Sequence, residues 1–260
     1  MKVLFKKTGV VLVSLLVILL LYFGSKNQKT NKIWDLRVEL LVEAKNALIS
    51  TEELKTEIQT SYPGLIGLEQ DEVDINRIKT VLDNNPLIKN TNVHKTVDGI
   101  IKVKAEQRIP FLRIINEENA SFLVDEIGVK MPVLLTNNPR LTLFTGRIQE
   151  SLDGVTLAQL NVNPELRQQS ILDEIFQLAT FLESSDFWKH QVEHVYVNSE
   201  REFELVPRVG NHKILIGEAF EIANKLNRLE LFYKETIGKE DWNEYAAIDL
   251  RFENQVVCKK

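Results

Sequence analysis

DINRIKTVLDNNPLIKNTNVHKTVDGIIKVKAE, residues 74–106, changes its hydrophobic period halfway along. In the first half Asp74 stands where an N-cap belongs, and Ile75, Ile78, Val81 and Leu82 mark one face of a short helix. Asn84-Asn85-Pro86 stops that helix, because the residue before a proline is pushed out of the helical region. In the second half Leu87 to Lys95 reads as a strand and Asp98-Gly99 as a hairpin turn. Ile101, Val103 and Ala105 then alternate along a further strand that ends near Arg108-Ile109-Pro110. Upstream, Ile33, Leu36, Val38, Leu40 and Val42 alternate almost strictly, which predicts another strand. Ser50 and Glu53 form a capping box, Leu54 and Ile58 follow at helical spacing to about Ser61, and Pro63-Gly64 breaks the run. The order is strand, helix, helix, strand, strand, and it predicts one domain over residues 33–108.

A second α+β domain with a mainly antiparallel sheet is expected over residues 109–260. Phe111–Ile115 and Ser121–Val124 read as strands joined by an Asn116–Asn119 turn, Asp125–Gly128 as another turn, and Leu141–Phe144 as a short strand. Pro164 is expected to open a helix whose face is Ile171, Leu172, Ile175, Phe176, Leu178, Ala179 and Leu182. Strands follow at Val192–Val197, Glu202–Val206 and Lys213–Ile216. A long helix is expected from Glu218, then a strand from Tyr245 to Phe252, with Gln255–Val257 closing a last hairpin.

Before all this lies an uncharged run. Thr8 to Gly24 is 17 residues without a charge, and Val10–Phe23 within it is almost wholly apolar. At about 1.5 Å per residue the run reaches about 25 Å, the low end of a bilayer span. Residues 1–7 are read as a cytoplasmic tail, 8–24 as a transmembrane helix and 25–32 as a lysine-bearing linker. A signal peptide is the rival reading, but Gly24-Ser25-Lys26-Asn27 fits a small-x-small cleavage site poorly. Lys2, Lys6 and Lys7 before the run balance Lys26, Lys29 and Lys32 after it, so lysine counting leaves orientation open. The expectation is a short tail inside and a translocated body.

Composition narrows the function. The chain is 44% hydrophobic and 27% charged, ordinary for a globular body. Its net charge of −5 becomes −8 once Lys2, Lys6 and Lys7 are set aside, which argues against nucleic acid as a partner. Cys258 is the only cysteine, so the chain has no intrachain disulfide. His190 and His194, flanking Glu193, are read as surface residues because no third metal ligand is near; His94 and His212 are read as solvated. Asp125 before Gly128 is read as turn chemistry, and Cys258 as incidental. Phe176, Phe181, Phe220 and Phe232 are read as core, and Arg108 either caps a domain junction or sits exposed. No nucleophile elbow, phosphate loop, dinucleotide fingerprint or zinc helix occurs, so neither a catalytic residue, a metal, a cofactor nor a small-molecule substrate is expected.

Several residues together carry a family likeness. Ile75-x-x-Ile78-x-x-x-Leu82, Asn85-Pro86-Leu87-Ile88, Val93 and Ile101–Glu106 before Arg108-x-Pro110 resemble a POTRA domain. Phe122-Leu123-Val124-Asp125-x-x-Gly128-x-x-Met131-Pro132, Leu141–Gly146, Phe203–Pro207, Ile214–Gly217 and Asp249-Leu250-Arg251-Phe252 resemble the second domain of the bacterial division proteins FtsQ and DivIB. The resemblance implies a non-enzymatic scaffold of the divisome with its body outside the cytoplasmic membrane. It also implies FtsB-like and FtsL-like partners, a POTRA part associated with recruitment, and an FtsB-type strand added at the end of the second domain. The short tail and the ending soon after the last strand depart from the family pattern. By position and by resemblance, Arg251, Phe252, Val256 and Val257 are the expected partner-binding residues. An alternative is an anchored POTRA protein of outer-membrane protein assembly or secretion, which would carry several POTRA units or a barrel. An exported cell-wall enzyme would need a carboxylate pair, a Ser/Lys pair or a zinc site.

Overall fold

The computed structural model of the chain describes residues 32–42, 47–134, 139–149, 165, 170–237 and 243–260. The tail, the uncharged run and most of the linker lie outside them. Two compact units result. Among the described residues the smaller holds 32–42 and 49–107. Its order is β1 (Asp35–Leu41), α1 (Thr51–Ser61), α2 (Ile75–Asp83), β2 (Ile88–Lys95) and β3 (Ile100–Gln107). β3 is central, parallel to β1 and antiparallel to β2.

Local chemistry explains these boundaries. Ser50 Oγ accepts from the Glu53 N–H at 3.1 Å while Glu53 returns a carboxylate to the Ser50 N–H at 2.7 Å. Two of the orphan donors at the start of α1 are thereby satisfied. Asp74 caps α2 through the Asn76 N–H, and the hairpin turns at Gly99 with φ +80°. Leu36, Leu54, Ile58, Ile78, Leu82, Ile101, Val103 and Ala105 close the core and are at most 2% exposed. Each buried Leu or Ile stabilises the fold by roughly 1.5–3 kcal/mol. A fragment of residues 33–108 should therefore unfold cooperatively by circular dichroism; a disordered spectrum would contradict this.

The larger unit holds the described residues from Arg108 to Lys260, with 47–48. It runs β4 (Pro110–Ile115), β5 (Ser121–Asp125), β6 (Lys130–Pro132), β7 (Leu143–Gly146), α3 (Leu172–Ser184) and α4 (Asp186–Gln191). It continues through β8 (Val192–Val197), β9 (Phe203–Pro207), β10 (Lys213–Gly217), α5 (Ile222–Phe232), a π-helical turn (Tyr233–Ile237), β11 (Ala247–Asp249) and β12 (Val257–Lys259). Nine strands form one sheet in the order β12-β11-β10-β9-β8-β7-β4-β5-β6. Five neighbouring pairs are antiparallel, while β10–β11, β7–β8 and β4–β7 are parallel. Apolar side chains of the strands, such as Ile114, Phe122, Phe144, Val195, Leu205 and Ile214, meet Ile175, Leu178 and Leu182 of α3 and Leu226 and Leu229 of α5 in one core.

Several expectations are corrected. The long helix begins at Ile222, not Glu218, because Glu221 adopts a left-handed φ of 52° at its N-cap. Phe220 therefore lies before the helix and is 68% exposed instead of core. Phe181 and Phe232 pack only partly against the core, and Phe176 is buried. The expected strand from Tyr245 to Phe252 contracts to Ala247–Asp249. His212, expected in solvent, is 1% exposed, with Nε2 2.7 Å from the Tyr233 hydroxyl. It precedes β10 and meets Tyr233 of the π-helical turn, which sequence spacing alone does not reveal. Helix α3 is described from Leu172, and the expected start at Pro164 lies outside the described residues. The strand β6 and the one-and-a-half-turn α4 are too short to show a period.

Candidate protein interaction edge

β11 is not the edge of its sheet. It pairs in parallel with β10, Ile214 opposite Ile248, and antiparallel with β12, Ile248 opposite Cys258. β12 takes the edge position, and among the described residues no strand lies on its other side. The unpaired flank of a strand presents main-chain N–H and C=O groups that another strand can engage. At the opposite edge, β6 ends in Pro132, which has no N–H to offer a ladder.

The residues named from sequence fall in two places around β12. Val257 is in the strand itself and opposite Asp249. Val256, just before it, packs with Cys258 against the core, so alternation turns Val257 to the other face. Arg251 and Phe252 are in the connection between β11 and β12, and Phe252 is 47% exposed. Phe252 therefore does not close the core.

Two arginines shape that connection. Arg251 donates from Nε to Asp249 Oδ1 at 3.0 Å and from a terminal nitrogen to Asp249 Oδ2 at 2.8 Å, a bidentate pair. Its other terminal nitrogen is 3.3 Å from Glu202. The Arg251 hydrogen bonds, stronger than the cost of burial, hold the Asp249 carboxyl below its ordinary value. Arg228 of α5 donates to Phe252 O at 3.0 Å and Leu250 O at 3.2 Å, tying the connection to the helix. Sequence reading misses Arg228, because its partners are 24 and 22 residues away and are carbonyls, which leave no side-chain pattern. Lys225 likewise donates to Ile216 O and Glu218 O, and burial lowers its pKa. These contacts enclose a groove of about 820 Å³ with Phe220 and Phe252 among its walls.

The Asp249 pair sets a pH dependence. A carboxyl whose folded pKa is depressed adds stability above its unfolded value, near 3.9, and loses it as pH falls through the folded value. Asp249→Asn should cost about 1 kcal/mol at neutral pH, discounted because the Arg251 side chain is 38% exposed. The difference in Tm between variant and parent should shrink below about pH 4. A difference independent of pH would contradict the assignment.

Arg108 pairs with Asp125 at 2.8 Å, and Asp125 Oδ1 also accepts from the Ile127 and Val129 N–H groups. Asp125 is thus turn chemistry, and Arg108 is neither exposed nor idle. His190 is in α4 and His194 in β8, so they share no helical face. Among the described residues no three His, Cys, Asp or Glu side chains cluster as metal ligands.

The arrangement leaves β12 at the edge of its sheet among the described residues, and the comparisons give the family. Residues 109–259 match the family model described as FtsQ/DivIB, C-terminal related, and residues 34–106 match a POTRA-like domain. The first match covers more than half of the chain, which belongs to the FtsQ/DivIB family of non-enzymatic cell-division scaffolds. No curated protein matches the chain. Among the described residues no helix is long and apolar enough to cross a membrane.

Proposed function

We propose that this protein is a membrane-anchored scaffold of the divisome. It binds FtsB-like and FtsL-like partners outside the cytoplasmic membrane and supports septal peptidoglycan synthesis, with no catalytic step of its own. The observation that carries this is β12, paired on one side only among the described residues, on a domain of the FtsQ/DivIB family. A partner strand adds to β12 by main-chain hydrogen bonds, Val257 gives register contacts, and Arg251 and Phe252 take partner side chains at the strand's entry. Val256 supports β12 from the core side. Residues 8–24 anchor the chain, and everything from Lys26 on is exported.

Purification of the full chain from membranes of its host tests this. FtsB-like and FtsL-like single-pass proteins should accompany it, and a cytoplasm-only reporter fused after Lys260 should stay silent. Recovery of outer-membrane assembly components instead, or a reporter that is active, would overturn the reading.

A further inference from the structure

The smaller unit carries an exposed apolar rim at one end. Trp34 is 58% exposed, Ile66 43% and Val97 97%, although neighbouring Ile33 and Leu65 are buried. Hydrogen bonds draw their three segments together. The Ile33 N–H donates to Leu68 O, the Gly67 N–H to Ile33 O, and the Trp34 N–H to Gly99 O. The Trp34 indole N–H donates to Asp98 O at 2.6 Å, which lays the ring along the hairpin turn that bears Val97. Gln70 Nε2 reaches Val97 O from the other segment.

The place of this end in the chain says what covers it. The uncharged run closes at Gly24, and Lys32, the residue before Ile33, forms an antiparallel backbone bridge with Glu69 at the same end. Seven residues lie between, which reach at most about 25 Å when extended. Whatever surface holds the run is therefore within reach of the rim. Tryptophan with an apolar ring and a bonded N–H suits the headgroup level of a bilayer. A valine left almost wholly in water is explained if water is not its neighbour.

We propose that Trp34, Ile66 and Val97 rest on the membrane that holds the run, so that the smaller unit lies on the lipid surface. This depends on the anchor reading above. The contact rests on apolar burial and not on attraction to anionic lipid, since Asp98 adjoins Val97 and Glu69 faces Lys32 at this end. Since the run already tethers the chain, a weak contact suffices to keep the rim down.

The full chain with Cys258→Ser and Val97→Cys, bearing a solvatochromic dye at position 97, tests it in phosphatidylethanolamine–phosphatidylglycerol vesicles. Dye emission should shift to the blue and rise at least about twofold over detergent-free soluble residues 33–260 labelled alike. The rise should persist at 0.5 M salt, where the Debye length is about 4 Å and attraction between exposed charges is largely screened. Adding Trp34→Ser should cut it, and a dye at position 84, exposed beside the start of β2 in the same unit, should show none. A water-like emission at position 97 in chains that resist alkaline extraction would overturn this inference alone. Chains released by alkaline carbonate would overturn the anchor and this inference together.

Discussion

Replacing Phe252 by alanine should weaken binding of the FtsB-like partner at least about tenfold, about 1.4 kcal/mol, with Tm nearly unmoved. Aromatic side chains beside a docking edge are among the residues that dominate interface energies. Phe252 is 47% exposed, and its main chain, not its ring, is held by Arg228. Truncating the ring therefore removes apolar surface that a partner would cover, and leaves no cavity in the core. Arg251→Ala should weaken binding too, but it also frees Asp249, which is 1% exposed, so its Tm should fall. The pair of variants separates contact from support. A large fall in Tm with unchanged affinity for Phe252→Ala would remove this residue from the interface.

The largest effect on stability is expected at Gly146, the last residue of β7. Its φ is +103°, a region that side chains rarely adopt. A Cβ there would strike the Val197 backbone oxygen and stand 2.9 Å from Tyr196 Cε2. Tyr196 can turn aside, but the Val197 oxygen is held by the Arg147 N–H at 2.9 Å. Relief would therefore break the β7–β8 register in the middle of the sheet. Gly146→Ala should cost about 3 kcal/mol or more, joining left-handed strain of about 1–2 kcal/mol to a steric penalty of similar size. For a unit of this size that lowers Tm by roughly 6–12 °C. Gly64 also has positive φ, +78°, but no atom within 4 Å of its added Cβ, so Gly64→Ala should cost only the strain. Equal losses at both positions would contradict the clash.

The smaller unit was legible in the sequence almost strand by strand, because its signals are local. Ser50 with Glu53, Asp74, Asn85-Pro86 and Asp98-Gly99 each fix a boundary through neighbours within a few residues. The end of the larger unit was less legible, because its geometry is set by distant groups. Tyr245 to Phe252 alternates, but the strand stops at Asp249, where Arg251 turns back onto the carboxylate and Arg228 holds the next carbonyls. The edge therefore passes from the expected strand to β12, which is only three residues long. Phe220 has helical spacing with α5, but the left-handed backbone at Glu221 separates it from the helix. The burial of His212 leaves no local signal, because its partner Tyr233 is 21 residues away.

Backbone hydrogen exchange across Val257–Lys259, with and without the FtsB-like partner, tests strand addition most directly. Strand pairing converts the outward amides of β12 from water-bonded to protein-bonded groups. Partner binding should slow exchange at β12 at least about tenfold, with little change at the opposite edge, Lys130–Pro132. Tight binding that leaves exchange across Val257–Lys259 unaltered would contradict docking by strand addition at this edge.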